Sequence, residues 1–130
     1  MTDKKPDKIV YKNQKKIHDL IIKNLKSNYL DNIKEAYIIG SLVNGNFGRY
    51  KKRFEGHFGS DIDLVVIPKK INNKWQFLGD FYNWHKKYNV GIIKINKITH
   101  PINLMIPFKN NMRTFFKKSK QLNWKMEKIK

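Results

Sequence analysis

The run Ser60-Asp61-Ile62-Asp63-Leu64-Val65-Val66-Ile67-Pro68 constrains this chain most. Branched apolar residues from Ile62 to Ile67 favour a strand, and Pro68 withdraws the donor needed to continue it. Strand side chains alternate, so Asp61 and Asp63 share a face, with Val65 and Ile67 deeper along it. Ile62, Leu64 and Val66 point the other way. Both faces are apolar beyond the acids, which predicts a central strand with two carboxylates at its mouth. Adjacent carboxylates repel, so one takes a proton or a cation lies between them. Hard oxygen donors at a strand end suit Mg²⁺, which uses few carboxylates and keeps water and phosphate in its shell.

A bare Asp-x-Asp is also the solvated end of many ordinary strands. Here it has an upstream companion, Tyr37-Ile38-Ile39-Gly40-Ser41. This is a second apolar strand ending in a Gly-Ser turn. Such a turn exposes backbone N–H groups and a hydroxyl to a phosphate.

The chain's 130 residues suffice for one modest core, and a single domain is expected. Cysteine is absent, which excludes disulfides and thiol chemistry. Met1 to Pro6 has no apolar segment like that of a signal peptide, and no apolar run is long enough to span a bilayer. A cytoplasmic protein without membrane association is the expectation. The net charge of +18 attracts polyanions such as nucleic acid or nucleoside triphosphates. The lysines are spread along the chain, as a Lys- and Asn-rich, low-GC composition also produces.

Residues 1–8 are expected to fray. The spacing predicts a helix from about Asp7 to Asn28, a strand at 36–39 and one helical turn at 42–44. A loop over 45–59 mixes glycine with Arg49, Lys51, Lys52 and Arg53 and with Phe47, Tyr50, Phe54 and Phe58. Its cations are candidates for phosphate contact. The aromatics of 75–88 fall at helical offsets, which predicts a second helix. Strands follow at 92–98 and 102–106, and a last helix at 111–128. The fold class expected is α/β (α+β), a small mixed sheet of about four strands with helices against it.

The order strand, Gly40-Ser41, loop, Ser60-Asp61-Ile62-Asp63-Leu64, helix and further strand resembles the minimal nucleotidyltransferases of the polymerase-β superfamily. The resemblance covers 36–106. It implies that Gly40 and Ser41 take the nucleotide phosphates, with Ser60, Arg49 and Lys52 assisting. It implies that Asp61 and Asp63 bind catalytic Mg²⁺. Two departures stand out. Nineteen residues separate Ser41 from Asp61, so 45–58 resembles an insertion. The third acid expected on the later strand is replaced by Asn103, which has an amide oxygen but cannot act as a base.

The resemblance implies Mg²⁺-dependent transfer of a nucleoside monophosphate from a triphosphate to a hydroxyl, with pyrophosphate released. The acceptor expected is an RNA or DNA end. Two alternatives remain: a catalytically impaired module that binds nucleotide or nucleic acid, and an antitoxin-type enzyme that modifies a partner protein.

Overall fold

The computed structural model describes residues 6–54, 56–81 and 84–130. It is a mixed α+β fold with two sheets. The elements are β1 (Lys8–Val10), α1 (Gln14–Asn28), β2 (Ile33–Ile39), α2 (Ser41–Asn44), β3 (Gly48–Phe54), β4 (His57–Gly59), β5 (Ile62–Pro68), β6 (Gln76–Asp80), β7 (His85–Ile95), β8 (Ile98–Pro107), α3 (Met112–Gln121) and β9 (Glu127–Lys128). A 3-10 turn at Phe108–Asn110 leads into α3. The larger sheet runs β6-β7-β8-β5-β2-β9 and the smaller β1-β3-β4. Within the larger sheet β5 and β8 are parallel, while the other neighbours are antiparallel.

The alternation read around Asp61 and Asp63 sorts the two faces of this sheet. Ile62, Leu64 and Val66 join Ile102, Leu104 and Ile106 of β8 in the main core, beneath Ile21 and Leu25 of α1. Each such fully buried aliphatic side chain contributes about 1.5–3 kcal/mol. Val65 and Met105 face the other way, into a smaller cluster with Tyr37, Ile39 and Phe115 of α3. Trp84 and Trp124 close it, their rings 5.3 Å apart. β5 is therefore covered on both faces and has a sheet partner on either side, as a central strand should be.

Several expectations need correction. Among the described residues the two sheets hold nine strands rather than about four. The first helix starts at Gln14, with Asn13 as its N-cap, so Asp7 does not cap it. Lys8 is ordered rather than frayed, and Ile9 and Val10, expected in the first helix, join it in β1, held by pairing of Lys8 with Tyr50 and Ile9 with Arg49. The expected fraying of 1–5 lies outside the described residues. The loop 45–59 contains the antiparallel pair β3 and β4. The expected helix at 75–88 is two strands, β6 and the start of β7. Aromatic residues favour strands, and Gly79 would weaken a helix interior. The expected strand at 92–98 is the end of β7 plus a turn. Asn96 and Lys97 have φ of 50° and 68°, the two positive values that a tight hairpin turn demands. The last helix stops at Gln121, and Glu127–Lys128 adds an edge strand to β2.

The small sheet meets the large one where side chains are missing. A Cβ on Gly59 would overlap the Thr99 carbonyl oxygen and come within 2.5 Å of His100 Nδ1. Gly59→Ala is expected to destabilise the protein by about 1–3 kcal/mol through overpacking against backbone, read as a lower denaturation midpoint in urea. Gly45→Ala serves as a comparison, since its Cβ would meet nothing within 4 Å, although its φ of +81° adds some strain.

Candidate nucleotide and metal site

β2 and β5 pair with Ile39 opposite Asp63, so the residue after Ile39 is delivered to the acids. That residue is Gly40, with φ 80° and ψ −151°. This backbone region is essentially closed to residues with a Cβ. A Cβ there would also lie 3.5 Å from Asp63 Oδ2. The glycine thus lets the chain turn directly beside the carboxylate and start α2 with Ser41. The Gly-Ser corner and the acidic doublet line one cavity of about 280 Å³. Ser60 lines it too, as do Lys8, Asn44, Asn46 and Tyr50.

Asn103 comes to the same row from the other side. The parallel register sets Asp63 of β5 against Asn103 of β8, and the antiparallel register sets Asn103 against Asn89 of β7. Asn89 Nδ2 reaches the carbonyl oxygens of Gly91 and Ile102, at 3.4 and 3.3 Å. Both are acceptors only, which fixes that amide's orientation. The same Nδ2 donates to Asn103 Oδ1 at 3.1 Å. The oxygen of Asn103 is thus engaged, and its NH₂ group is left as a donor.

Asn103 lines a second cavity of about 320 Å³, which also has Asp61 in its wall. Asp61 is therefore common to both cavities. His57 of β4 approaches Asp61 from the second side, with Nε2 3.3 Å from Oδ1. Its Nδ1 donates to the Gly59 carbonyl at 2.7 Å, which fixes the ring beside Asp61.

Ser60 is a structural fastener as well as a lining residue. It is buried, its N–H donates to Gly48 O, and its Oγ accepts from Gly48 N. Its carbonyl accepts from His100 Nδ1 at 2.9 Å. That commitment leaves Nε2 of a neutral His100 to accept from the Tyr11 hydroxyl, also at 2.9 Å.

Of the residues singled out from sequence, Gly40, Ser41, Ser60, Asp61 and Asp63 converge on the first cavity, and Asn103 adjoins them. Arg49 and Lys52 are not among the side chains that line it. The Arg49 guanidinium lies 5.8 Å from the centre of the Phe58 ring, and Lys52 is exposed on β3. The cation lining the cavity is Lys8, which the sequence had placed in a frayed end. Its Nζ is 5.7 Å from the centre of the Tyr50 ring. Only the long-range pairing of β1 with β3 brings Lys8 here, and no local pattern signals that.

The donors suit a hard cation. Asp61 and Asp63 supply carboxylate oxygens, and Mg²⁺ is ordinarily held by one or two carboxylates plus substrate phosphates. Among the described residues no group of three or more His, Cys, Asp or Glu could hold a metal by itself. No helix among them is long and apolar enough to cross a membrane. Compared with protein-family models, curated proteins and solved structures, the chain matches none.

Burial behind the site sets a pH dependence. Desolvation pushes His100 down from 6.5 to about 4, despite its bond to Ser60 O, and pushes His85 down to about 4 as well. Between pH 6.5 and 4 the unfolded chain binds more protons at these rings than the folded one. Their contribution to stability is full above pH 6.5 and is lost as pH falls towards 4. His18 acts oppositely. Burial lowers its pKa, but Asp19 and Glu127 more than offset this and the net shift is upward. In His100→Gln, urea unfolding should show a shallower fall in stability from pH 6.5 to 4, by up to about one proton in slope. An unchanged slope would mean that His100 does not titrate in this way.

Proposed function

We propose that the protein is a Mg²⁺-dependent nucleotidyltransferase. The observation that carries this reading is the shared cavity of Gly40, Ser41, Asp61 and Asp63, with Lys8 beside it. In this reading the Ser41 hydroxyl and the Lys8 ammonium hold the triphosphate. Asp61 and Asp63 hold Mg²⁺, which when bound supplies charge neutralisation at the transferring phosphoryl group. An acceptor hydroxyl oxygen forms a bond to the α-phosphorus, the bond to the bridging oxygen of pyrophosphate breaks, and the hydroxyl proton passes to solvent water. The chain's own contribution is positioning: two carboxylates on one strand, and a triphosphate corner on its neighbour.

Asn103 favours a second reading, in which the site binds nucleotide with little turnover. An amide with its oxygen engaged by Asn89 does not accept a proton from the acceptor. A missing general base slows transfer by roughly 10²–10⁴-fold, which leaves a slow enzyme rather than an inert one.

Incubation with α-labelled nucleoside triphosphates and Mg²⁺, with and without RNA, tests the proposal. Label transferred by the wild type should fall at least roughly 10²-fold in Asp61→Asn and Asp63→Asn, as loss of several kcal/mol of charge stabilisation requires. Transfer unaffected by either substitution would overturn the proposal. Asn103→Asp should raise the rate by roughly 10²-fold, the low end of what a positioned base supplies. An unchanged rate would show that position 103 lies away from the acceptor.

A further inference from the structure

The second cavity, beyond Asp61, is walled by donors. The register sets Gln76 of β6 against Asn89 of β7, and Asn89 against Asn103 of β8, so the polar row that includes Asp63 continues to the sheet edge. Lys87 stands two residues before Asn89 and shares its face of the sheet. Asn103 is buried and Asn89 occupies its oxygen, so what it offers the cavity is its NH₂ group. Among the described lining residues Asp61 is the only carboxylate, and in the nucleotidyltransferase reading it is committed to Mg²⁺. His57 is engaged as well, with Nε2 3.3 Å from Asp61 Oδ1 and Nδ1 on the Gly59 carbonyl. Lys87, Gln76 and Asn103 are left to meet a ligand, and all three donate to oxygen. Leu78 and Ile92 add apolar wall, and about 320 Å³ suits a small molecule. Such a wall does not assist a hydroxyl nucleophile, which must lose a proton. It suits a nucleophile that is already an oxyanion. A phosphate monoester carries a charge of about −1.5 to −2 at neutral pH and has three acceptor oxygens, so two can rest on donors while the third attacks. A carboxylate has only two.

We infer that this cavity takes the phosphate monoester of a small molecule as a further acceptor, held by Lys87 and the Asn103 and Gln76 amides, and that the protein transfers nucleoside monophosphate to it faster than to a hydroxyl. The inference rests on the nucleotidyltransferase reading and adds an acceptor class that needs no base. Because Asp61 borders both cavities, a phosphate held here meets a triphosphate held on the Gly40 side. One oxygen of the monoester bonds to the α-phosphorus, and the bond from that phosphorus to the bridging oxygen breaks. Pyrophosphate leaves with the electron pair and no proton is transferred. The product is a diester of pyrophosphate, with the nucleoside on one phosphorus and the small molecule on the other.

The test offers phenyl phosphate, benzyl alcohol and benzoate to the protein with α-labelled nucleoside triphosphates and Mg²⁺, so that one ring presents three different nucleophiles. Phenyl phosphate should take label at least roughly tenfold faster than benzyl alcohol, which finds no base here. Lys87→Glu should slow that transfer roughly tenfold, as loss of a charge-assisted hydrogen bond requires. Lys70→Glu, the same change of charge just beyond the far end of β5, should leave it unchanged. Gln76→Glu, at an exposed position of β6, should act in the same direction as Lys87→Glu and guards against misfolding of that variant. Asn103→Asp should slow transfer to phenyl phosphate by setting a like charge beside it, and speed transfer to benzyl alcohol. A structural defect alone would move both the same way. Label on benzyl alcohol or RNA but not on phenyl phosphate would overturn the acceptor assignment and leave the nucleotidyltransferase reading standing. Phenyl phosphate labelled equally by wild type, Lys87→Glu and Gln76→Glu would do the same. Label on benzoate alone would overturn the assignment in favour of a carboxylate. No label on any acceptor, RNA included, would overturn the nucleotidyltransferase reading and the inference with it.

Discussion

The parallel pairing of β5 with β8 is the constraint on which the site depends. It sets Asp63 level with Asn103, while the antiparallel pairing on the other side of β5 sets Asp63 level with Ile39. One transverse row thus runs Ile39, Asp63, Asn103, Asn89 across four strands. A slip of one residue in any of these pairs would turn the polar side chains into the core on the opposite face. The aliphatic packing of Ile62, Leu64 and Val66 against Ile102 and Leu104 resists such a slip. The chemistry at the sheet's mouth is therefore positioned by the hydrophobic face behind it.

The smaller sheet adds a wall that the larger one lacks. β1 and β3 bring Lys8 and Tyr50 to the cavity, and β4 brings His57 to Asp61. The two sheets approach at Gly59, which leaves no room for a Cβ against Thr99 and His100 of β8, while Gly48 does the same for β1 within the small sheet. Buried polar links tie the junction. Tyr11, His100, Ser60 and Gly48 form a continuous chain of hydrogen bonds behind the acids. Such a network holds only when every member is satisfied, and keeping His100 neutral is part of that.

What was legible in the sequence followed from local rules. The Ile62–Pro68 strand could be read because alternation and a terminal proline both act within a few residues. The Gly40-Ser41 turn could be read because only glycine tolerates the backbone angles found there. The segment 75–88 was misread because its aromatics fall at helical offsets, while what makes it two strands is non-local pairing. Pairing of Phe77 with Tyr88 decides the matter, and that contact lies across a turn. Lys8 was missed for a related reason: its place depends on Tyr50, forty-two residues away. Arg49 and Lys52 had the charge expected of phosphate ligands, but strand geometry directs Arg49 onto Phe58.

The central claim is that one magnesium-bound triphosphate bridges the Gly-Ser corner and the acidic doublet. The most direct measurement is a crystal structure with a non-hydrolysable nucleoside triphosphate and Mn²⁺, the metal located by its anomalous scattering. The account predicts a metal peak between Asp61 and Asp63, with the phosphates against Ser41 and Lys8. A nucleotide bound elsewhere, or phosphates on the corner with no metal at the two aspartates, would contradict it.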